Sequence, residues 1–249
     1  MKREEIIQIQ HHRPYPLPKG DWVMQQTWKD LLFLHYRVPV DRLRLLIPAE
    51  LEIDTFEGDA WLGITPFKMR NLKLRSIPSL PTATDFLELN MRTYVKLNGK
   101  SGIWFFSLDC SSLLAVVGAR LGACLPYYFS DMTVENRGGI FHYFSRRNGG
   151  HDEPVCFELI YRPASGPFES INGSLEEWLT ERYCLFQETK KGRMLEIDIH
   201  HLKWPLQLAQ AEVVMNMLGE PFGFELEGQQ PLAHFSKRQK VLFWPPQPA

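Results

Sequence analysis

The chain has 249 residues, 28 of them Lys or Arg and 29 Asp or Glu, for a formal net charge of −1. Near-neutrality excludes the basic field of a nucleic-acid binder and the acidic excess of a disordered tail, and the length suits a single domain with a substantial core. No apolar run is long enough to span a membrane, the opening MKREEIIQIQHH lacks the apolar stretch of a signal peptide, and the cysteines at 110, 124, 156 and 184 form no CxxC pair. The expectation is one cytoplasmic domain over 1–249 with reduced, mostly buried thiols and neither a membrane nor a nucleic-acid partner. Composition leaves a homo-oligomer open.

In chain order, His11 and His12 fall in an arm expected to be mobile. LLFLHYRVP (31–39) predicts a strand ended by its proline. VDRLRLLIP predicts a short helix capped by Asp41, with Leu43, Leu46 and Ile47 on one side. LEIDTFEGDAWLGITPF predicts a hairpin turning near Gly58. Residues 70–86, with Pro78 and Pro81, predict a long loop that could serve as a lid. ELNMRTYVKLNGKSGIWFFSLD predicts a second hairpin, with Asn98-Gly99 supplying the positive-φ turn.

CSSLLAVVGARLGAC predicts a helix capped by Asp109 or the serines after it. MTVENRGGIFHYFSR, PVCFELIYRP and MLEIDIHHL predict further strands, and SLEEWLTERYCLF a helix opened by the capping box Ser174-x-x-Glu177. LQLAQAEVVMNML places Leu206, Ala209, Val213 and Met217 on one helical stripe. A last strand covers HFSKRQKVLFW, and the terminal WPPQPA is expected to fray. Many strands with a few helices give a mainly β, α+β fold, a barrel or a sandwich.

The second hairpin carries the functional question. A two-residue turn pairs 92 with 105, 90 with 107 and 88 with 109, so Glu88, Asn90, Arg92, Tyr94, Ile103, Phe105, Ser107 and Asp109 share one face. The opposite face, with Leu89, Met91, Val95, Trp104, Phe106 and Leu108, is core. The polar face either meets water or lines a chamber. The following helix favours the chamber. Val116, Arg120, Leu113, Cys124 and Val117 lie within one arc, and no side of that helix is made for water. A buried Arg120 needs a carboxylate, and Glu88 or Asp109 are the candidates. The pair is either architectural or faces a ligand.

HYRVPVDRLRLLIPAELEID, LELNMRTYV, FFSLD, GARLGACLPYYFSDM and IHHLKWPLQLAQAEVVMN resemble the YqjF-like family of uncharacterised proteins over nearly the whole chain. That family is similar in fold to acetoacetate decarboxylase, which implies a closed β-barrel around a buried cavity. The more distant resemblance places Glu88 at the decarboxylases' cavity glutamate, and Arg120 and Pro126 at their arginine and the proline before the catalytic lysine pair. It puts Lys29 near a cavity arginine and Trp61 near a missing second carboxylate. Where the decarboxylases carry two adjacent lysines, this chain has Tyr127 and Tyr128, and a phenol cannot form the iminium that decarboxylation uses as its electron sink. Lys190-Lys191 reads as a solvated turn.

Other chemistries find little support. His200 and His201 point to opposite faces of a strand and cannot easily share a metal, and there is no HExxH, GxSxG, phosphate loop or GxGxxG. No cofactor is implied and no metal site is expected. Two readings stand. In the first, the cavity binds a small organic carbonyl or carboxylate compound, with Arg120, Arg92, Asn90, Lys29 and Trp61 around it and Glu88, Tyr127 and Tyr128 as acid–base candidates. In the second, the protein is a non-catalytic binding or stress-associated protein whose Arg–Glu pair is purely structural. The residues alone leave open whether the chain is an enzyme.

Overall fold

The computed structural model describes residues 3–76, 84–147 and 154–249. Four helices occur among them: α1 (Arg3–Gln8), α2 (Val40–Arg44), α3 (Leu113–Ala123) and α4 (Leu175–Thr180). The strands are β1 (Met24–Val38), β2 (Glu52–Ile53), β3 (Ala60–Leu74), β4 (Phe86–Leu97), β5 (Lys100–Cys110), β6 (Tyr127–Arg137), β7 (Ile140–Arg147), β8 (Val155–Pro163), β9 (Cys184–Glu188), β10 (Met194–His200), β11 (Leu206–Asn216), β12 (Leu232–Phe243) and β13 (Gln247–Pro248). The chain is thus mainly β, as its alternating patterns imply.

The strands form one sheet that closes on itself twice. Pairing of β4 with β5 closes a ring through β6, β7, β8, β11, β12, β1 and β3. Pairing of β10 with β12 closes a second ring through β9 and β5, sharing β12, β1, β3, β4 and β5 with the first. The shared strands form a partition with a core on each side. Leu32, Leu34, Tyr36, Leu89 and Met91 pack into the larger core with Tyr143, Phe157 and Leu159. Leu31, Phe33, Phe67, Phe105 and Leu108 face the smaller ring. Strands buried on both faces need apolar residues on both, which is why LLFLHY carries no alternation. It is also why the polar face of β4 looks into the smaller ring.

The β4–β5 hairpin turns at Asn98 (φ 50°) and Gly99 (φ 77°), and Arg92 pairs with Phe105 as its pattern requires. Beyond that point a β-bulge intervenes: Met91 pairs with Ser107, Leu89 with Asp109 and Glu88 with Cys110. One extra residue on β5 reverses the alternation. Ser107 and Asp109 therefore leave the face of Glu88 and join the side of Leu89 and Met91, while Leu108 moves to the smaller ring.

Several local expectations need correction. Residues 206–216 are a strand: half-buried Ala209, Ala211 and Val213 alternate with exposed Leu208, Gln210, Glu212 and Val214 between β8 and β12. Ala209, Val213 and Met217, four apart, share a face in either conformation; only the step of three from Leu206 to Ala209 tells helix from strand, since it crosses to the other strand face. Pro39, without a side-chain cap, holds the N-cap position of α2 in place of Asp41. The turn at Glu57-Gly58 joins only the Phe56–Asp59 bridge, and β2 pairs with β4. Of the expected 70–86 loop, 70–74 belong to β3 and 86 to β4, and 77–83 lie outside the described residues. The C-terminus is pinned as β13 against Leu195 and Glu196. The Ser112 hydroxyl caps α3 by accepting from the Ala115 amide, and that of Ser174 caps α4 by accepting from the Glu177 amide.

The N-terminal arm is docked. His12 Nε2 lies 2.7 Å from the His201 carbonyl oxygen, Arg13 donates to the Ile199 carbonyl at 2.7 Å, and the Ser101 amide donates to the Tyr15 hydroxyl. No helix is long and apolar enough to cross a membrane among the described residues.

Candidate functional site

Inside the smaller ring lies a cavity of about 510 Å³, walled by β1, β3, β4, β5, β9 and β10 and by one side of α3. The alternation of β4 sends Glu88, Asn90 and Arg92 into it, exposed by only 4, 5 and 6%.

Arg92 lies at the inner end. Its Nε and Nη2 have no hydrogen-bond partner, and among the described residues no carboxylate pairs with it. The guanidinium sits over the Phe33 ring at 5.4 Å, beside Tyr94. Burial lowers its pKa, Tyr94 opposes that and the Arg182 charge adds to it. Nearby His35 has two unpartnered ring nitrogens and is held well below the usual histidine range by burial and by Arg92, so it stays neutral and adds no second positive charge. Asn90 Oδ1, Thr65 Oγ1 and Trp204 Nε1 also line the cavity without partners. Of these unmet atoms Arg92 Nε and Nη2 and Trp204 Nε1 are donors, Asn90 Oδ1 is an acceptor and Thr65 Oγ1 can be either, and a buried cation without a partner is costly.

The same wall carries groups held by the protein itself, although Arg182 Nη2 has no hydrogen-bond partner. Arg182 donates from Nη1 to Asp54 Oδ2 at 2.6 Å and from Nε to the Trp178 carbonyl at 2.7 Å. The ring nitrogens of His201 lie 2.7 Å from the Leu202 carbonyl oxygen and 3.2 Å from that of Arg182, and burial pushes its pKa down to about 3.

Glu88 forms a second polar station. The Tyr127 hydroxyl donates to its Oε2 at 3.0 Å, and the Tyr143 hydroxyl donates to its backbone oxygen at 2.9 Å. Burial pushes the Glu88 carboxyl up to about 8, with the Tyr127 bond offsetting only part, so it holds a proton at neutral pH. The Tyr127 phenol is driven well above its usual range by burial and then by Glu88.

Of the residues singled out in the sequence, the cavity brings together Glu88, Asn90, Arg92 and Tyr127. Lys29 is exposed on β1, and Trp61 packs in a separate cluster with Tyr94 and Leu179. Tyr128 lies off the cavity wall, its ring over the Arg147 guanidinium at 4.2 Å. The expectation of a buried Arg120 paired with Glu88 or Asp109 is corrected. Arg120 is exposed, and its Nε donates to the Tyr127 carbonyl at 2.7 Å. The cause lies in α3, which leaves Leu113, Leu114 and Val117 exposed as well.

Asp109 is instead held by Arg147 through two bonds of 2.6 Å and by the Ser130 hydroxyl at 2.7 Å, on the other side of the partition. The sequence signal for Arg147 is the alternation of Phe141, Tyr143, Ser145 and Arg147 on one inward face of β7. The ligand atoms of Cys184, Glu196 and Asp198 cluster within 4.8 Å, as a metal site would require. The Lys100 ammonium occupies that place, 2.5 Å from Glu196 and 2.8 Å from Asp198.

The model of the DUF2071 family, described as an uncharacterized conserved protein, matches residues 25–240. The chain is 46% identical over 229 residues to the uncharacterized protein YqjF of Bacillus subtilis, covering 92% of this chain and 93% of that protein. Acetoacetate decarboxylase from Legionella pneumophila superposes with a TM-score of 0.60 at 11% identity, covering 96% of this chain and 93% of that one. An acetoacetate decarboxylase-like enzyme from Sphingomonas wittichii gives 0.63 at 14% identity, covering 92% and 94%. The enduracididine biosynthesis enzyme MppR, complexed with pyruvate, gives 0.60 at 12% identity, covering 95% and 93%. The twice-closed sheet is thus the acetoacetate decarboxylase-like fold, and the chain belongs to the DUF2071 family of uncharacterized proteins.

Proposed function

We propose that the cavity binds a small organic carboxylate or carbonyl compound, held by Arg92 and Asn90, with Glu88 and Tyr127 as proton-handling groups. The observation that carries this reading is the buried, carboxylate-free Arg92 at the inner end of the cavity. A bound carboxylate would supply the missing countercharge in a bidentate geometry that a guanidinium favours. MppR, a neighbour in fold, is described as complexed with pyruvate, a molecule of this class.

Imine chemistry is not part of the proposal. No lysine lines the cavity among the described residues, and Lys190 and Lys191 are exposed in the turn between β9 and β10. Glu88, protonated near neutral pH and hydrogen-bonded to Tyr127, suits proton transfer to or from a carbonyl compound. The four free cysteines fit the reducing cytoplasm as the place of action.

Isothermal titration of wild type and Arg92→Met with pyruvate and a panel of carboxylates tests the reading. Binding that disappears in a folded Arg92→Met protein supports it, and binding that survives overturns it. Borohydride reduction in the presence of pyruvate should leave every lysine at its unmodified mass.

One observation favours a second reading. Glu88 and Arg92 are four positions apart, about 13 Å of strand. A small ligand anchored at Arg92 would then sit remote from the Glu88 proton, as in a binding protein without chemistry.

A further inference from the structure

We infer that the cavity's ligand is an amphipathic monocarboxylate with an extended apolar tail, seated carboxylate-inward, and not a keto acid of pyruvate's size. This rests on the reading of Arg92 as the carboxylate anchor and adds what fills the rest of the space.

The cavity has a closed polar end and an open apolar one. At the inner end Arg92, Thr180 and His201 are exposed by 6, 3 and 1%, while at the outer end Val23, Leu74 and Leu114 are exposed by 39, 42 and 64%. From Arg92 outward to Phe86 runs about 20 Å of strand. The wall between them is built largely from side chains such as Leu31, Phe67, Leu108 and Ile199. The polar interruptions on β4 are Asn90, next to Arg92, and Glu88, which is bonded to Tyr127 and uncharged near neutral pH.

The small residues of α3 keep the outer half open. A β-carbon added at Gly118 or Gly122 would meet nothing within 4 Å, so no neighbouring element fills the space beside them. A volume of about 510 Å³ falls in the range of pockets that hold drug-sized ligands, about 300–1,000 Å³. A molecule of pyruvate's size would leave most of that apolar wall against water. A longer carboxylate covers the wall and passes the Glu88–Tyr127 station along its chain, which removes the conflict between two stations about 13 Å apart.

The test is a titration of the full-length protein with pyruvate, butanoate, hexanoate, octanoate and 1-octanol. In wild type the affinity should rise about fourfold per added methylene, and octanoate should bind at least tenfold more tightly than 1-octanol. Gly118→Phe, which places a ring in the outer half, should weaken octanoate at least tenfold and leave butanoate unchanged. Arg92→Met should abolish the preference for octanoate over 1-octanol. An affinity that depends on Arg92 but does not grow with chain length overturns this inference and leaves the carboxylate site standing. Carboxylate binding indifferent to Arg92, or absent, overturns both.

Discussion

The Arg92 side chain lies across Gly63, its partner on the neighbouring strand. A β-carbon at Gly63 would stand 3.2 Å from Arg92 Nε, 3.3 Å from Cγ and 3.3 Å from the Tyr94 hydroxyl. The absence of a side chain at one position thus sets where the guanidinium of another can lie. Gly63→Ala should keep the fold, because Gly63 is not among the positive-φ glycines, but should push Arg92 out of place. Carboxylate affinity should fall about tenfold, some 1.4 kcal/mol, with the thermal midpoint moving by only a few degrees. Calorimetric titration alongside thermal unfolding checks both.

Arg92 should cost the free protein stability. Exchanging buried charge for an apolar side chain of similar volume is often neutral or stabilising by about 1–4 kcal/mol. Arg92→Met should therefore raise the urea midpoint while removing carboxylate binding. A purely architectural arginine would show the opposite, a lowered midpoint.

The two arginines that the sequence could not separate should behave differently. Arg147→Met leaves Asp109 buried without its cation and should cost about 3–5 kcal/mol. Arg120→Met removes an exposed side chain with one bond to a carbonyl and should cost less than about 1 kcal/mol. Urea unfolding of the two variants at neutral pH decides the matter.

Glu88 gives stability a pH dependence of defined sign. Its folded pKa of about 8 lies above its ordinary 4.5, so between these values the folded state binds more protons than the unfolded state. Its contribution is fully present below pH 4.5 and is lost as pH rises through 8. Wild type should lose stability relative to Glu88→Gln across that window, by an amount on the order of a few kcal/mol. Unfolding of both proteins at pH 5, 7 and 9 measures the difference.

The histidines where the N-terminal arm docks act in the opposite direction. Burial lowers His12, holds His200 at about 4 and His201 at about 3, and the Arg13 charge adds to the effect on His12 and His200. Between those values and 6.5 the unfolded state binds more protons. Stability from these groups is therefore present above pH 6.5 and drains away as pH falls toward 4. Hydrogen exchange in peptides covering 9–15 and 197–203, corrected for intrinsic rates, should show protection falling over that interval. His200→Gln should flatten the trend.

Much of this molecule was legible in its residues. The alternation in ELNMRTYV, the Asn98-Gly99 turn and the serine caps of α3 and α4 are local facts, fixed by backbone geometry and short-range hydrogen bonds. They were enough to place Glu88, Asn90 and Arg92 on one face. Which arginine is buried was not a local matter. Helix α3 has no polar side, and so it read as covered, but Leu113, Leu114 and Val117 are exposed, and Leu114 lies at the outer end of the cavity. The bulge after Phe105 left no mark in the residue pattern, because Ser107, Leu108 and Asp109 suit either alternation.

The sequence by itself determined that strands with mixed faces would dominate and that two phenols, Tyr127 and Tyr128, stand between Pro126 and Phe129. Only the tertiary structure decided that the sheet closes twice and makes β4 a wall between two cores. Whether a polar side chain meets water or a cavity depends on what lies across from it, and in this fold that is supplied by strands about a hundred residues away, β9 and β10, with no local pattern to announce them.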